Sequence, residues 1–271
     1  MRVFAIRDGE AEVLKDLAYL IYYEKAKKFY IELPEDADEW ETPLLLSSFA
    51  KRGERTVNSY WSELWVRQRI VPTDRQNLGQ YLRDNGLELY DEFSLLMLAN
   101  GRCAQDEYYL TEIRETELPE EVLSRLSKAV EDVLPLPHFH LLIFFRDGTV
   151  RNVDAIPLLE DIRTFAPVLR DRDVFDRVTV QPGGYGIQWG ETLELPKELL
   201  YRSGQEVPLT GEDFRTFVAQ RIITTAEACD LLQCSRQNID DLVRRDKLHP
   251  VKASGRTKLF LRSEVEERLW K

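Results

Sequence analysis

The sequence predicts an α+β multidomain chain. A mainly helical N-terminal region is followed by a small α/β, hairpin-containing middle domain and a C-terminal pair of short helices with its own hairpin. Three observations predict this. Apolar residues between positions 11 and 30 recur near helical spacing. Residues 136–205 change to short apolar runs punctuated by turn residues. Residues 222–271 hold two brief amphipathic patterns around a tight polar turn. A length of 271 residues suits two or three domains at about 100–200 residues each. A hydrophobic fraction of 43% is enough to fill ordinary cores.

The expected division is 1–115, a helical linker over 116–135, 136–205 and 221–271. After a short strand, Val3 to Ile6, the helical spacing of Val13, Leu14, Leu17, Leu20, Ile21, Tyr23 and Phe29 predicts a helix over residues 11–30. Pro34 and the acidic PEDADE run end it. Thr42-Pro43 opens the next helix, since proline suits a first turn. Another follows Val57 and carries Tyr60, Trp61, Leu64 and Trp65. Asp74 can cap residues 75–85, with Gly86 beyond the C-terminus, and Asp91 can cap a helix reaching Ala99. One further helix fits between Pro119 and Pro135. In the middle domain, Leu141 to Phe145, the turn Arg146-Asp147-Gly148 and Thr149 to Val153 predict a hairpin. Residues 178–180 and 185–189, flanking Pro182-Gly183-Gly184, predict a second.

The charge is uneven. The chain has 37 basic and 48 acidic residues, a net of −11. Residues 221–271 hold 11 Lys/Arg against 8 Asp/Glu, a net of +3, which leaves −14 on residues 1–220. A cationic end on an anionic body suggests that the end meets an anionic partner. The three cysteines, Cys103, Cys229 and Cys234, have no paired spacing, so a disulfide framework is excluded and a reducing compartment is expected. The apolar run Leu141 to Phe145 falls far short of the roughly 20 residues that cross a bilayer. The N-terminus MRVFAIRDGE has no apolar signal core. The expectation is a cytoplasmic protein with no membrane contact.

The C-terminal segment carries the chemistry. Thr225 can cap a short helix, residues 226–232, with Ala228, Leu231 and Leu232 inward. Gln233-Cys234 turns the chain, and Ser235 caps a second helix, residues 236–245, with Ile239, Leu242 and Val243 on one stripe. Arg236, Gln237, Asn238, Arg244 and Arg245 occupy its other face. Two short helices so joined form a helix-turn-helix, whose second helix is of a size to enter the major groove of DNA. Residues 248–252, the turn Ser254-Gly255-Arg256 and residues 258–261 then predict a basic wing. Ser263 and Glu266 predict a capping box on a closing helix.

The string TTAEACDLLQCSRQNIDDLVRRDKLHPVKASGRTKLFLRSEVEERL resembles the winged helix-turn-helix of the MerR and excisionase type. That resemblance implies that Ser235, Arg236, Gln237 and Asn238 meet base edges and nearby phosphates. It implies that Arg244, Arg245, Arg256 and Lys258 hold the backbone, and Thr225, Lys247 and Lys252 complete the expected DNA-binding set. Asp240-Asp241 departs from the family pattern, because anionic groups there repel phosphate unless they point away or accept from cytosine. Residues 136–205 are similar to a small α/β family of unknown function, on LLIFFRDGTVRNVDAIPLLE, FAPVLRDRDVFDRVTVQPGGYGIQW and LPKELLYRSG. Members occur alone beside small toxin-like proteins or fused ahead of a helix-turn-helix, and no catalytic residue carries over.

No enzyme, cofactor or metal is expected. His138 and His140 alternate at a strand start without a third ligand, and Gly183-Gly184-Tyr185-Gly186 lacks the lysine and serine of a phosphate loop. The expected function is sequence-specific binding of double-stranded DNA by a homodimeric regulator of bacterial or phage type. The alternative is an antitoxin-like or adaptor protein whose residues 1–205 bind a protein partner.

Overall fold

The computed structural model describes residues 1–255 and 257–269. The chain folds as two compact units, residues 1–147 with 151–205, and residues 148–150 with 206–271.

The first unit opens with a five-stranded antiparallel sheet. Its strands are β1 (Arg2–Asp8), β2 (Asp16–Tyr23), β3 (Lys28–Glu32), β4 (Thr56–Val57) and β5 (Tyr108–Ile113), in the order β4-β3-β2-β1-β5. The expected helix over residues 11–30 is therefore a β-hairpin, and the N-terminal region is not mainly helical. The reason lies in burial. Ala18, Leu20 and Tyr22 enter one core and Tyr19 and Ile21 enter another on the opposite face. A strand buried on both faces reads as a continuous apolar run, which periodicity alone does not separate from a helix. The aromatic and β-branched residues of DLAYLIYY favour the strand.

Helices α1 (Leu44–Arg52), α2 (Ser59–Arg67) and α4 (Glu92–Leu98) cover the first face, and α3 (Leu78–Asp84) stands between α2 and α4 in the chain. Asn58 caps α2 by accepting from the Trp61 amide, and Asp91 caps α4 through Ser94, as its sequence predicts. Asp74 does not cap α3, which begins three residues later than expected, behind Asn77. The opposite face is covered by α5 (Glu120–Ser127), whose Val122 and Leu126 pack with Val3, Ala5, Tyr19 and Ile21. Residues 116–135 are thus not a helical linker. The helix is a core layer, and its expected C-terminal half is strand β6 (Val130–Leu136), paired antiparallel with β7 (His140–Phe145).

Strand β8 (Val150–Asp154) lies beside β7. Short helices α6 (Ile156–Leu159), α7 (Ala166–Arg170) and α8 (Arg172–Phe175) follow. A second small sheet has the order β11-β10-β9, from β9 (Thr179–Val180), β10 (Gly186–Trp189) and β11 (Leu193–Pro196). Helix α9 (Lys197–Ser203) closes this core around Phe145, Phe175, Ile187, Trp189 and Leu200. The expected hairpin of residues 178–189 is present as β9 and β10.

Pro182-Gly183-Gly184 is a point of close approach. Tyr185 stacks on Tyr30 with centroids 3.7 Å apart, which joins the middle segment to the N-terminal core. Gly184 sits at φ +75°, and a Cβ there would fall 2.5 Å from the Val130 carbonyl oxygen. Gly184→Ala is expected to destabilise by about 3 kcal/mol in urea unfolding, from roughly 1–2 for the left-handed backbone and roughly 1–3 for overpacking. Gly190, at φ +67° with open space around its Cβ position, bears only the first cost and serves as the control.

The second unit follows β12 (Gln205–Val207), which begins at the boundary. Helix α10 (Gly211–Arg221) starts with a Thr210–Asp213 capping box. Strand β13 (Ile222–Thr224), helices α11 (Thr225–Leu232) and α12 (Arg236–Arg244), strands β14 (Lys252–Ser254) and β15 (Thr257–Leu261) and helix α13 (Arg262–Glu266) complete it. The sheet order is β13-β15-β14, and Ile223, Ala228, Ile239, Leu248, Phe260 and Val265 form the core.

Candidate nucleic-acid interface

Strand β13, helices α11 and α12 and strands β14 and β15 form the frame of the candidate site. The cap of α11 is Thr224, one residue earlier than expected. Its hydroxyl accepts from the Glu227 amide while Glu227 accepts from the Thr224 amide, a complete capping box. Thr225 is buried and donates to the Lys258 carbonyl at 3.3 Å. It ties α11 to β15, so its hydroxyl, expected in the DNA-binding set, is engaged inside the domain. Fully buried Ala228 and Ile239 let α11 and α12 pack closely.

Gln233 takes a left-handed conformation at φ 51°, ψ 43°, and the Cys234 amide bonds the Cys229 carbonyl at 3.0 Å. Ser235 then caps α12, accepting from Asn238 at 3.3 Å. Burial of Ile239, with Leu242 and Val243 half-buried, fixes the rotation of α12. Ser235, Arg236, Gln237 and Asn238 are exposed together on its first turn, and Arg244 and Arg245 are exposed at its other end. Lys247 lies in the following loop and Lys252 on β14, both exposed. Arg256 falls outside the described residues.

The two aspartates are engaged locally. Asp240 accepts from Lys258 Nζ at 2.6 Å, and Asp241 accepts from Arg244 Nη2 at 2.6 Å. Two of the expected phosphate-binding cations are therefore already paired. Arg236, Arg245, Lys247 and Lys252 have no ion pair among the described residues.

The hairpin differs slightly from expectation. Leu248 is a core residue, and the strand begins at Lys252. The expected Ser263–Glu266 capping box is absent, because Leu261 is the cap position and Glu266 pairs with Arg262 at 2.8 Å. Glu264 instead accepts from the His249 amide at 2.9 Å and stands 2.8 Å from Nδ1, while Asp246 stands 3.1 Å from Nε2. The hydrogen bond to Glu264, with the one to Asp246, raises the His249 pKa above its ordinary 6.5. A raised histidine contributes stability that is present below 6.5 and lost as pH rises through the raised value. His249→Ala should therefore lower the thermal midpoint more in mildly acidic than in mildly alkaline buffer.

Residues 222–271 match the family model described as a helix-turn-helix domain. Residues 130–206 match the family described as a protein of unknown function (DUF2442), and that match starts at β6. Each agrees with the resemblance read in the sequence. No characterised protein and no solved structure matches the chain.

Amide-bearing and cationic side chains stand on the exposed first turn of α12, and Lys258 of β15 reaches Asp240 on the same helix. Among the described residues no group of three or more His, Cys, Asp or Glu side chains is placed to hold a metal ion. His140 Nδ1 lies 2.8 Å from Asn152 Oδ1, a polar strand contact. No described helix is long and apolar enough to cross a membrane.

Proposed function

We propose that this chain is a sequence-specific DNA-binding protein, a transcriptional regulator of bacterial or phage type that acts in the cytoplasm as a binding protein and not as an enzyme. The observation that carries this reading is the exposed first turn of α12, Ser235 to Asn238, on a helix whose apolar stripe is locked in the domain core. Its first turn enters the major groove, and the hairpin of β14 and β15 serves as the wing on the phosphate backbone. A homodimer places two such helices on half-sites about 34–36 Å apart. The acidic residues 1–205 serve dimerisation or the binding of a protein partner.

The test is binding of the full chain to its own upstream DNA against unrelated DNA across a salt series. A steep fall of log affinity with log salt, together with preference for the upstream fragment, supports the reading. Equal weak binding to both fragments removes it. Asp240→Asn should release Lys258 for one additional phosphate, steepening the salt slope by about 0.9 and raising affinity for unrelated DNA.

A further inference from the structure

We propose that Asp240 is a base-reading residue of α12, selective for cytosine, and that Lys258 of β15 aims its carboxylate and offsets its charge. This rests on the DNA-binding reading and names one base that the site selects. The rotation of α12 singles the residue out. With about 3.6 residues per turn, Arg236, Gln237, Asp240 and Arg244 recur at three- and four-residue steps and share one face. That face is turned away from Ile239, Leu242 and Val243, which pack into the domain core, and all four of its residues are exposed. Asp240 thus stands one turn behind Arg236, on the open side of the helix.

The two aspartates of α12 differ. Asp241 is half-buried on the flank of the helix, where it lines a cleft with Leu232, Cys234 and Arg245, and its partner Arg244 comes from the same helix. Asp240 is held from another element. Lys258 Nζ donates to its Oδ1 at 2.6 Å. Lys258 is itself fixed, since it pairs with Ala253 of β14, its carbonyl accepts from Thr225 and its side chain is only 26% exposed. The Asp240 side chain is 53% exposed, and its Oδ2 has no hydrogen-bond partner among the described residues.

A bare carboxylate on this face would repel the phosphates that border a groove. Paired with Lys258, it brings little net charge there and still presents an accepting oxygen. An ionised carboxylate can only accept. On their major-groove edges guanine and thymine offer acceptors, and adenine sets its amino donor beside the acceptor N7. Cytosine alone presents a donor, its N4 amino group, with no acceptor on its own edge. Cytosine is therefore the base that fits Asp240 Oδ2.

The test is selection of duplexes from a randomised library by the full chain and by its Asp240→Asn and Asp240→Ala variants, followed by titration of the selected sites. The wild-type motif is expected to hold cytosine at one position of each half-site, and replacing that C·G pair should weaken wild-type binding about 5- to 150-fold. Asparagine matches adenine N6 and N7, so Asp240→Asn should exchange that cytosine for adenine. Asp240→Ala should leave the position without preference, while the other positions keep theirs. The same base at every position in all three proteins overturns the proposal and leaves the DNA-binding reading standing. So does a base other than cytosine at the position that Asp240→Ala changes. Enrichment of no sequence by the wild type overturns both.

Discussion

Glu32→Ala is expected to destabilise the first unit by about 3–5 kcal/mol, the loss typical of leaving one partner of a buried ion pair alone. Glu32 is fully buried at the end of β3. It accepts from Arg125 Nε at 2.9 Å and from the Thr56 hydroxyl at 3.1 Å, and Lys197 Nζ lies 3.9 Å away. These contacts join β3 to α5, β4 and α9. Lys197 has no better partner. Its Nζ is buried without a hydrogen bond among the described residues, 4.4 Å over the Tyr185 ring. Burial pushes the Glu32 carboxyl up and the Lys197 amine down, which means that desolvation outweighs the attraction for each.

Breaking the pair should thus be costly, while replacing it whole should not. Urea unfolding at neutral pH should show Glu32→Leu combined with Lys197→Met recovering most of the stability that Glu32→Ala loses. The pH dependence follows from the lysine. A lowered native pKa means that the folded state binds fewer protons than the unfolded chain between that value and 10.5, so stability rises with pH across that window. The Glu32→Ala deficit should narrow as pH approaches 10.5. A deficit under about 1 kcal/mol, the range of an exposed pair, would contradict the assignment of Glu32 as a buried clasp.

What the sequence made legible follows from how local each signal is. Ser235 with Asn238, and the stripe Ile239, Leu242 and Val243, sit within one helix, so α12 could be read from its own residues. Asp91 as a cap and Gly255 at a hairpin tip are equally local. The α11 cap was legible in principle, because Thr224 and not Thr225 stands three residues before Glu227. Strand β2 was not, since its neighbours on both faces come from distant residues and turn an alternating pattern into a continuous one. Strand β6 was merged into a helix because its pairing with β7 is a tertiary fact. The buried ion pair of Arg69 depends on Asp106, 37 residues away, and the restraint on Lys258 depends on Asp240, 18 residues away. Neither spacing leaves a mark in the sequence.

Arg236→Ala is expected to reduce affinity for the specific site by about 1–3 kcal/mol and to relax sequence preference at one base position. Arg236 is the first residue of α12, exposed and without an ion pair among the described residues, so no local contact competes with DNA for it. Lys252→Ala on β14 should behave differently. A phosphate contact carries no sequence information, so its loss should weaken specific and unrelated DNA alike and reduce the salt slope by about 1. Thr225→Ser provides the contrast, since it keeps the hydroxyl that bonds the Lys258 carbonyl inside the domain and should leave base preference unchanged. Titrations of these three variants across a salt series separate the roles. A first helical turn that reads bases loses discrimination with Arg236, and a wing that rides the backbone loses salt dependence with Lys252. Unchanged specific affinity in Arg236→Ala would remove α12 from the groove and leave the helix-turn-helix domain to bind protein.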